Sequence, residues 1–375
     1  MSVPVVVLTP NLSGRDGISR LARLITNTFD EAIVVALHEP AATRTYRRAR
    51  VRGADGRSSR FVAAAVRAAA AADPGTVVIA VHLHLAPASL AFTARGASLV
   101  TMLCGVEAWK PLTWIQRAAL DRSDHLIAIS QFTRGRFLAV NPRFAGRAID
   151  VCHPGVDASA GAADTAPGPP SALIVGRMAA DERYKGHDAL LEIWSQVAAA
   201  VPGAVLRIVG DGDDRPRLEA RAAALELGPQ VVFLGRLDDE ALCREYARCT
   251  AFVMPSRDEG FGFVFAEAMR AGRPCVGARG AAGEIIADRD TGWLVDADDR
   301  AQLCDAVVRI LRDRASADTM GARGRVRFLQ QFTEERFRDR FTALLPLAAP
   351  ALTLLSFSWF ALMPFTFGVV CSRFT

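Results

Sequence analysis

Short, continuously apolar runs rich in β-branched residues recur along this chain, and each is followed by a longer Ala/Leu/Arg segment. That alternation is the mark of a βαβ succession, which builds parallel sheets with helices on both faces. Val3 to Leu8 opens the series, and its unbroken apolar run predicts a strand buried on both sides. A loop over Asn11 to Gly17 and a helix over Ile18 to Phe29 come next. Further strands are expected at Ala32–Ala36, Thr76–His82, Ser98–Met102 and His125–Ile129. An Ala-rich helix over Ala63–Ala72 is stopped by Asp73-Pro74-Gly75.

The alternation lapses between Ala158 and Pro170, where small residues, Gly and Pro replace any periodicity. Such a composition reads as a linker. Strands then resume at Ala172–Val175, Val205–Val209, Val231–Leu234, Ala251–Met254 and Pro274–Gly277. At 375 residues the chain can bury two cores. The division expected is a first lobe at 1–157, a linker at 158–170 and a second lobe at 171–340. A final helix that returns to the first lobe and an apolar tail make up 341–375. Two facing parallel α/β lobes leave a cleft at the carboxyl ends of their strands, where such folds bind ligands.

A net charge of +5 is too mild to imply a nucleic-acid partner, and no aromatic-interleaved RNA module is present. The basic residues are almost all arginine; only Lys110 and Lys185 are lysines, which makes each a candidate for chemistry. Seven scattered cysteines with no Cys-x-x-Cys pair supply neither a disulfide framework nor a zinc site. The first ten residues lack a basic region and a long apolar run, so a cytoplasmic setting is expected. Seven arginines crowd residues 43–60, as a solvated face or as a patch for an anionic membrane surface. From Phe341 to Ser372 there is no charge. Ala351–Val370 has the length of a membrane span but contains Pro364, so a packed final helix with an irregular end is the expectation.

The most informative stretch runs from Met254 to Val276. A strand ends at Met254, a loop with glycines at 260 and 262 follows, and a helix continues to about Arg270. Glycines allow close backbone approach to a ligand, and the free N–H groups of a helix start suit a diphosphate. Glu267 lies about 7 Å along that helix at 1.5 Å per residue, the scale of a phosphate-to-ribose distance. Glu259 precedes the helix and would face a sugar.

Glu259-Gly-Phe-Gly262, followed by Glu267-Ala-Met269 and Gly272-x-Pro274, resembles the signature of glycosyltransferase family 4, of GT-B fold. Other blocks agree in order: Ile127–Thr133, His153–Asp157, Val175–Met178, Tyr184–Asp188, Arg207–Gly212 and Phe233–Arg236. The resemblance covers residues 3 to 345 and implies two Rossmann-like domains facing across a cleft. It implies a retaining, metal-independent hexosyltransferase with a UDP- or GDP-sugar as substrate and no cofactor. The acceptor would be a saccharide or a polyprenol-linked saccharide of the cell envelope or an exopolysaccharide. The enzyme would then work in the cytoplasm, peripheral to the inner face of the membrane.

Specific roles follow from the same resemblance. Arg177 and Lys185 would bind the donor diphosphate and, with Glu259, carry the catalysis. Fixed cations stabilise the charge that builds on a leaving phosphate oxygen. Glu267 would hold the ribose, Arg236 would lie at the base, and Gly260, Phe261, Gly262, Phe263 and Val264 would line the donor. Gly14 and Gly17 would approach the phosphates from the opposite lobe. Attack from the front face needs no side-chain nucleophile, because the departing phosphate takes the acceptor proton. Asp211-Gly-Asp-Asp214 has the look of a metal motif but sits where the family has a loop, so no metal is expected.

One position departs from the pattern: Cys104 stands in Cys104-Gly105 where relatives commonly have His-Gly. The acceptor-side candidates are Cys104, Glu107 and the pair His82 and His84, which share a face if their strand continues. Two alternatives stay open. One is a non-catalytic GT-B protein that binds a nucleotide without transfer; the other is a phosphorylase or epimerase on the same frame.

Overall fold

The computed structural model describes residues 3–159 and 168–345, so most of the linker and of the apolar tail lies outside the described residues. The first lobe contains eight strands: β1 (Val5–Thr9), β2 (Ile33–Ala36), β3 (Thr43–Tyr46), β4 (Ala49–Gly53), β5 (Val77–Ala80), β6 (Ser98–Leu103), β7 (His125–Ala128) and β8 (Ile149–Val151). They form one sheet in the order β3-β4-β2-β1-β5-β6-β7-β8, parallel throughout except for the β3–β4 hairpin. The second lobe contains β9 (Ser171–Val175), β10 (Val205–Val209), β11 (Val231–Gly235), β12 (Ala251–Met254), β13 (Cys275–Ala278) and β14 (Gly292–Val295). Its order is β11-β10-β9-β12-β13-β14, and every pairing is parallel. In both sheets the chain starts in the middle and reverses direction beside its first strand, which leaves a crevice at the strand ends.

All five residues of β1 are buried, in keeping with its unbroken apolar run. The segment 43–60 differs from the expected loop or helix face. Arg44 and Arg52 lie on an antiparallel hairpin, and a helix begins at Ser58. Alternating Thr/Arg and Ala/Val residues give that segment a two-residue period, which a count of its charges does not register. Its arginines are also partly neutralised, since Arg44 pairs with Glu39, Arg48 with Asp30 and Arg60 with Asp55. The strand expected at Thr76–His82 stops at Ala80, and residues 83–85 form a short 3₁₀ turn.

The C-terminal segment ties the second lobe back to the first. Val156 N–H donates to Phe332 O at 2.8 Å, and Glu334 N–H donates to Val156 O at 3.2 Å. At Gly155 a Cβ would stand 2.4 Å from the Thr333 carbonyl oxygen, so only glycine lets the two backbones meet. The helix Glu334–Ala343 then buries Phe337 and Phe341, stacked at 5.1 Å, and Arg340 reaches the carbonyl of His153 at 3.0 Å. Among the described residues no helix is long and apolar enough to cross a membrane.

Truncating such a ring removes both transfer energy and packing. Phe337→Ala is expected to cost about 3–5 kcal/mol in chemical denaturation. A loss below about 1 kcal/mol would show that the returning helix adds little to the fold.

Candidate active site

Loops from the strand ends of both sheets meet at one junction. A Cβ on Gly260 would lie 2.4 Å from the Cys104 carbonyl oxygen and 3.4 Å from Gly105 Cα, so the two backbones touch here. Ser130 and Thr133 hydroxyls both donate to the Gly260 carbonyl, at 2.6 and 3.2 Å. Beside it, Glu284 accepts from the first amides of the helix Gln131–Val140, those of Gln131 at 2.8 Å and Phe132 at 2.7 Å. A carboxylate suits that helix terminus. His153 Nε2 joins the same carboxylate at 2.7 Å. Burial alone would raise the Glu284 carboxyl, but the His153 ring and the two amides outweigh it and hold it below the usual range. Of these junction groups, Gly260 and Cys104 were named as site residues from the sequence, whereas Ser130, Thr133, His153 and Glu284 were given no functional role. Ser130 is legible in retrospect as the residue that caps its helix.

In the second lobe, the loop 176–186 after β9 lies against the loop after β12. Gly186 adopts φ +92° with Pro255 where its Cβ would be, and Arg257 N–H donates to Tyr184 O at 3.1 Å. This brings Arg177 and Lys185 onto one acceptor: Arg177 Nε and Lys185 Nζ lie 3.1 and 3.0 Å from Glu182 Oε2. Glu182 was not foreseen. Its carboxylate occupies the space between the two cations. Arg177 is 62% exposed and grips Glu182 through two nitrogens, whereas Lys185 is 18% exposed. Glu259 is near enough to Lys185 to feel its charge; burial raises its carboxyl and Lys185 opposes the shift. Two buried polar atoms in this neighbourhood, His187 Nε2 and Ser256 Oγ, have no partner among the described residues. Burial and the adjacent Lys185 push the His187 ring down to about 4, so it is neutral at physiological pH. A buried orphan of this kind fits a site completed by a ligand or water.

Glu267 sits on the helix Phe263–Arg270, apart from the pair Arg177 and Lys185. Its Oε1 pairs with Arg20 of the first lobe at 2.6 Å, and its Oε2 accepts from the buried Tyr246 hydroxyl at 2.8 Å. Arg20 also lies 4.6 Å over the Phe263 ring, so one arginine closes this end of the cleft by charge and by cation–π contact. Opposite, a Cβ on Gly17 would be 3.7 Å from the Phe263 ring. The preceding loop is pinned by Glu39, which accepts from the Leu12 and Ser13 amides, and by Arg23, which donates to the carbonyls of Leu12 and Gly14. Phe261 is buried against His153, and Val264 is half-buried on the helix. Arg236 is exposed at the end of β11.

Among the residues expected on the acceptor side, the Cys104 thiol points into the core and donates to Val81 O at 3.0 Å, and burial pushes it well above its usual value. It therefore does not replace an imidazole facing the cleft. Glu107 turns back to accept from the Cys104 and Gly105 amides at 2.9 and 3.1 Å. His82 approaches Glu107 at 4.0 Å, and its ring meets that of His84 edge-on at 4.9 Å. The two rings come together through the turn rather than through a continued strand. The carboxylates of 211–214 are engaged by the protein itself: Asp213 accepts from Ala180 N–H, and Asp214 is gripped by Arg183 and Arg217.

The Glu284 cluster has a pH signature. Its carboxyl titrates below the usual range when folded, so its contribution is complete above that range and is lost as pH falls through the lowered value. The melting-temperature gap between the protein and Glu284→Gln should be widest near neutrality and narrow below about pH 4. A gap independent of pH would refute this account.

Residues 169–313 match the glycosyl transferases group 1 family. A Corynebacterium glutamicum protein is 34% identical over 43% of this chain and 44% of its own length. It is a GDP-mannose-dependent monoacylated alpha-(1-6)-phosphatidylinositol monomannoside mannosyltransferase. The GDP-mannose-dependent alpha-(1-6)-phosphatidylinositol monomannoside mannosyltransferase of Mycolicibacterium smegmatis is 31% identical over 63% of this chain and 66% of its own. The matches thus span 44% to 66% of these relatives' lengths. Among solved structures, Anabaena HepE in complex with UDP and glucose superposes with a TM-score of 0.75 at 20% identity, covering 91% of this chain and 98% of that one. Residues 169–313 are therefore a group 1 glycosyltransferase domain, and the chain as a whole has the two-lobed GT-B fold.

Proposed function

We propose that this protein transfers a hexose from a nucleoside diphosphate sugar, UDP- or GDP-linked, to a saccharide or lipid-linked acceptor of the cell envelope, with retention of configuration. Residues 1–157 form the acceptor-side lobe and 171–340 the donor-side lobe. The observation that carries this reading is the convergence of Arg177 and Lys185 on one oxygen of Glu182, at the carboxyl end of the second sheet. Two cations held within about 3 Å of a shared anionic oxygen are what a departing diphosphate needs. In this reading the diphosphate displaces Glu182, while backbone amides at the start of the helix Phe263–Arg270 approach the other phosphate oxygens. Glu259 meets hydroxyls of the sugar, and Glu267 exchanges Arg20 for the ribose.

The charge developed on the leaving oxygen is met by fixed cations, so the residues present can support the departure without a metal or cofactor. The acceptor hydroxyl, entering past His82 and Glu107, passes its proton to the departing phosphate on the same face. The relatives named above use GDP-mannose and a phosphatidylinositol mannoside by their names, which supports an envelope glycolipid as acceptor and work at the inner face of an anionic membrane.

A panel of nucleotide sugars should pick out one donor by thermal stabilisation, about 2.7 kcal/mol at a hundredfold excess over its Kd. Lys185→Ala should weaken that donor's binding and lower turnover by about 10²–10³-fold. Unchanged kinetics in that variant would remove the phosphate assignment. Glu267→Ala should raise the donor KM far more than it lowers kcat, as expected for a group that holds the ribose rather than the reacting bond.

A further inference from the structure

One corner of the first lobe keeps large apolar side chains in water. Trp114 is 72% exposed in the first turn of the helix Trp114–Arg122, and Ile115, Val106 and Val140 are exposed near it. Their neighbourhood is set by hydrogen bonds. Asn141 donates to the Lys110 carbonyl at 3.2 Å and accepts from Leu112 N–H at 3.2 Å, which joins the end of the helix carrying Val140 to the segment entering Trp114. Arg136, one turn before Val140, lies 5.0 Å over the Trp109 ring, in the same short turn as Val106. Single exposed hydrophobes are ordinary, but a cluster centred on a tryptophan marks an interaction surface.

The charges around it are of one sign in excess. Arg143 is paired with Asp121 at 2.9 Å and Arg136 with Asp258 at 3.5 Å. Glu107 is turned away toward backbone amides. Lys110 and Arg117 have no carboxylate partner among the described residues, and both are exposed. An indole beside free basic side chains suits the headgroup layer of an anionic bilayer, where the ring is half in hydrocarbon and the cations meet phosphate. The arginine-rich hairpin at 43–53 also carries arginines without a carboxylate partner among the described residues, Arg47 and Arg50, but it exposes no large hydrophobe to enter a bilayer.

We infer that the Trp114 corner, with Ile115, Val106, Val140, Lys110 and Arg117, is the surface by which this protein docks on an anionic lipid bilayer. The inference rests on the lipid-linked acceptor of the proposed function and says which face receives it. The turn Val106–Trp109 follows directly on Cys104-Gly105, whose backbone touches Gly260 of the second lobe. A headgroup held at this corner is thereby presented to the mouth of the cleft.

The test is co-flotation of the full chain with phosphatidylglycerol-containing vesicles and with pure phosphatidylcholine vesicles. The protein should float with the anionic vesicles and not with the neutral ones. Trp114→Ala and the pair Lys110→Glu/Arg117→Glu should each reduce the bound fraction at least about fivefold. Val62→Ser/Val66→Ser, on the separate helix Ser58–Ala70, should not. Since Trp114 is mostly in water, its substitution should leave the melting temperature, donor binding and transfer to a soluble acceptor unchanged. Flotation that survives Trp114→Ala would overturn the inference in favour of another segment. A changed oligomeric state in Trp114→Ala with flotation intact would overturn it in favour of a contact between copies. Failure of the wild type to bind anionic vesicles would also overturn it, and intact donor turnover in that case would leave the proposed function standing.

Discussion

Everything in this molecule that concerns two lobes at once depends on a backbone contact with no room for a side chain. Gly260 meets the Cys104 carbonyl so closely that a single Cβ would force the lobes apart. The hydroxyls of Ser130 and Thr133 then close on the Gly260 carbonyl, and Glu284 caps the same helix from the other lobe. Steric permission at one glycine thus allows a set of short polar bonds that a side chain there would obstruct. Because the donor loop begins at this contact, the position of the second lobe's glutamates relative to the first lobe follows from it.

Around that junction the charges of the cleft are already paired. Arg177 and Lys185 share Glu182, and Glu267 is shared by Arg20 and Tyr246. Pairing avoids the cost of leaving a partly buried charge alone. Arg177 is exposed, whereas Glu267 is buried beside Tyr246.

The abundance of arginine has a similar explanation. Asp188, Asp214 and Glu192 are each bridged by more than one guanidinium on the helices flanking the second sheet, so much of the basic excess is internal to the fold. Lys110 and Arg117 stand beside the most exposed tryptophan of the first lobe.

The alternation of apolar runs and helical segments was enough to establish two parallel α/β lobes, because burial on both faces leaves a strand no polar positions. The motif Glu259-Gly-Phe-Gly262 with Glu267 located the loop and helix of the candidate site for the same kind of reason: local steric freedom and helical rise are properties of short segments. Partners distant in sequence were not legible. Nothing in the neighbourhood of Arg20 or Tyr246 signals that they converge on Glu267, and Glu182 reads as one more surface carboxylate until the loop folds back on Arg177 and Lys185. The hairpin at 43–53 was hidden because charge masked its period, and the histidine pair met through a turn where a strand was expected. Sequence alone determined the central strands and the main helices and glycine turns of both lobes, since these depend on neighbours along the chain. Only the tertiary structure decided which charges meet across the cleft, since that depends on how closely two backbones can pass.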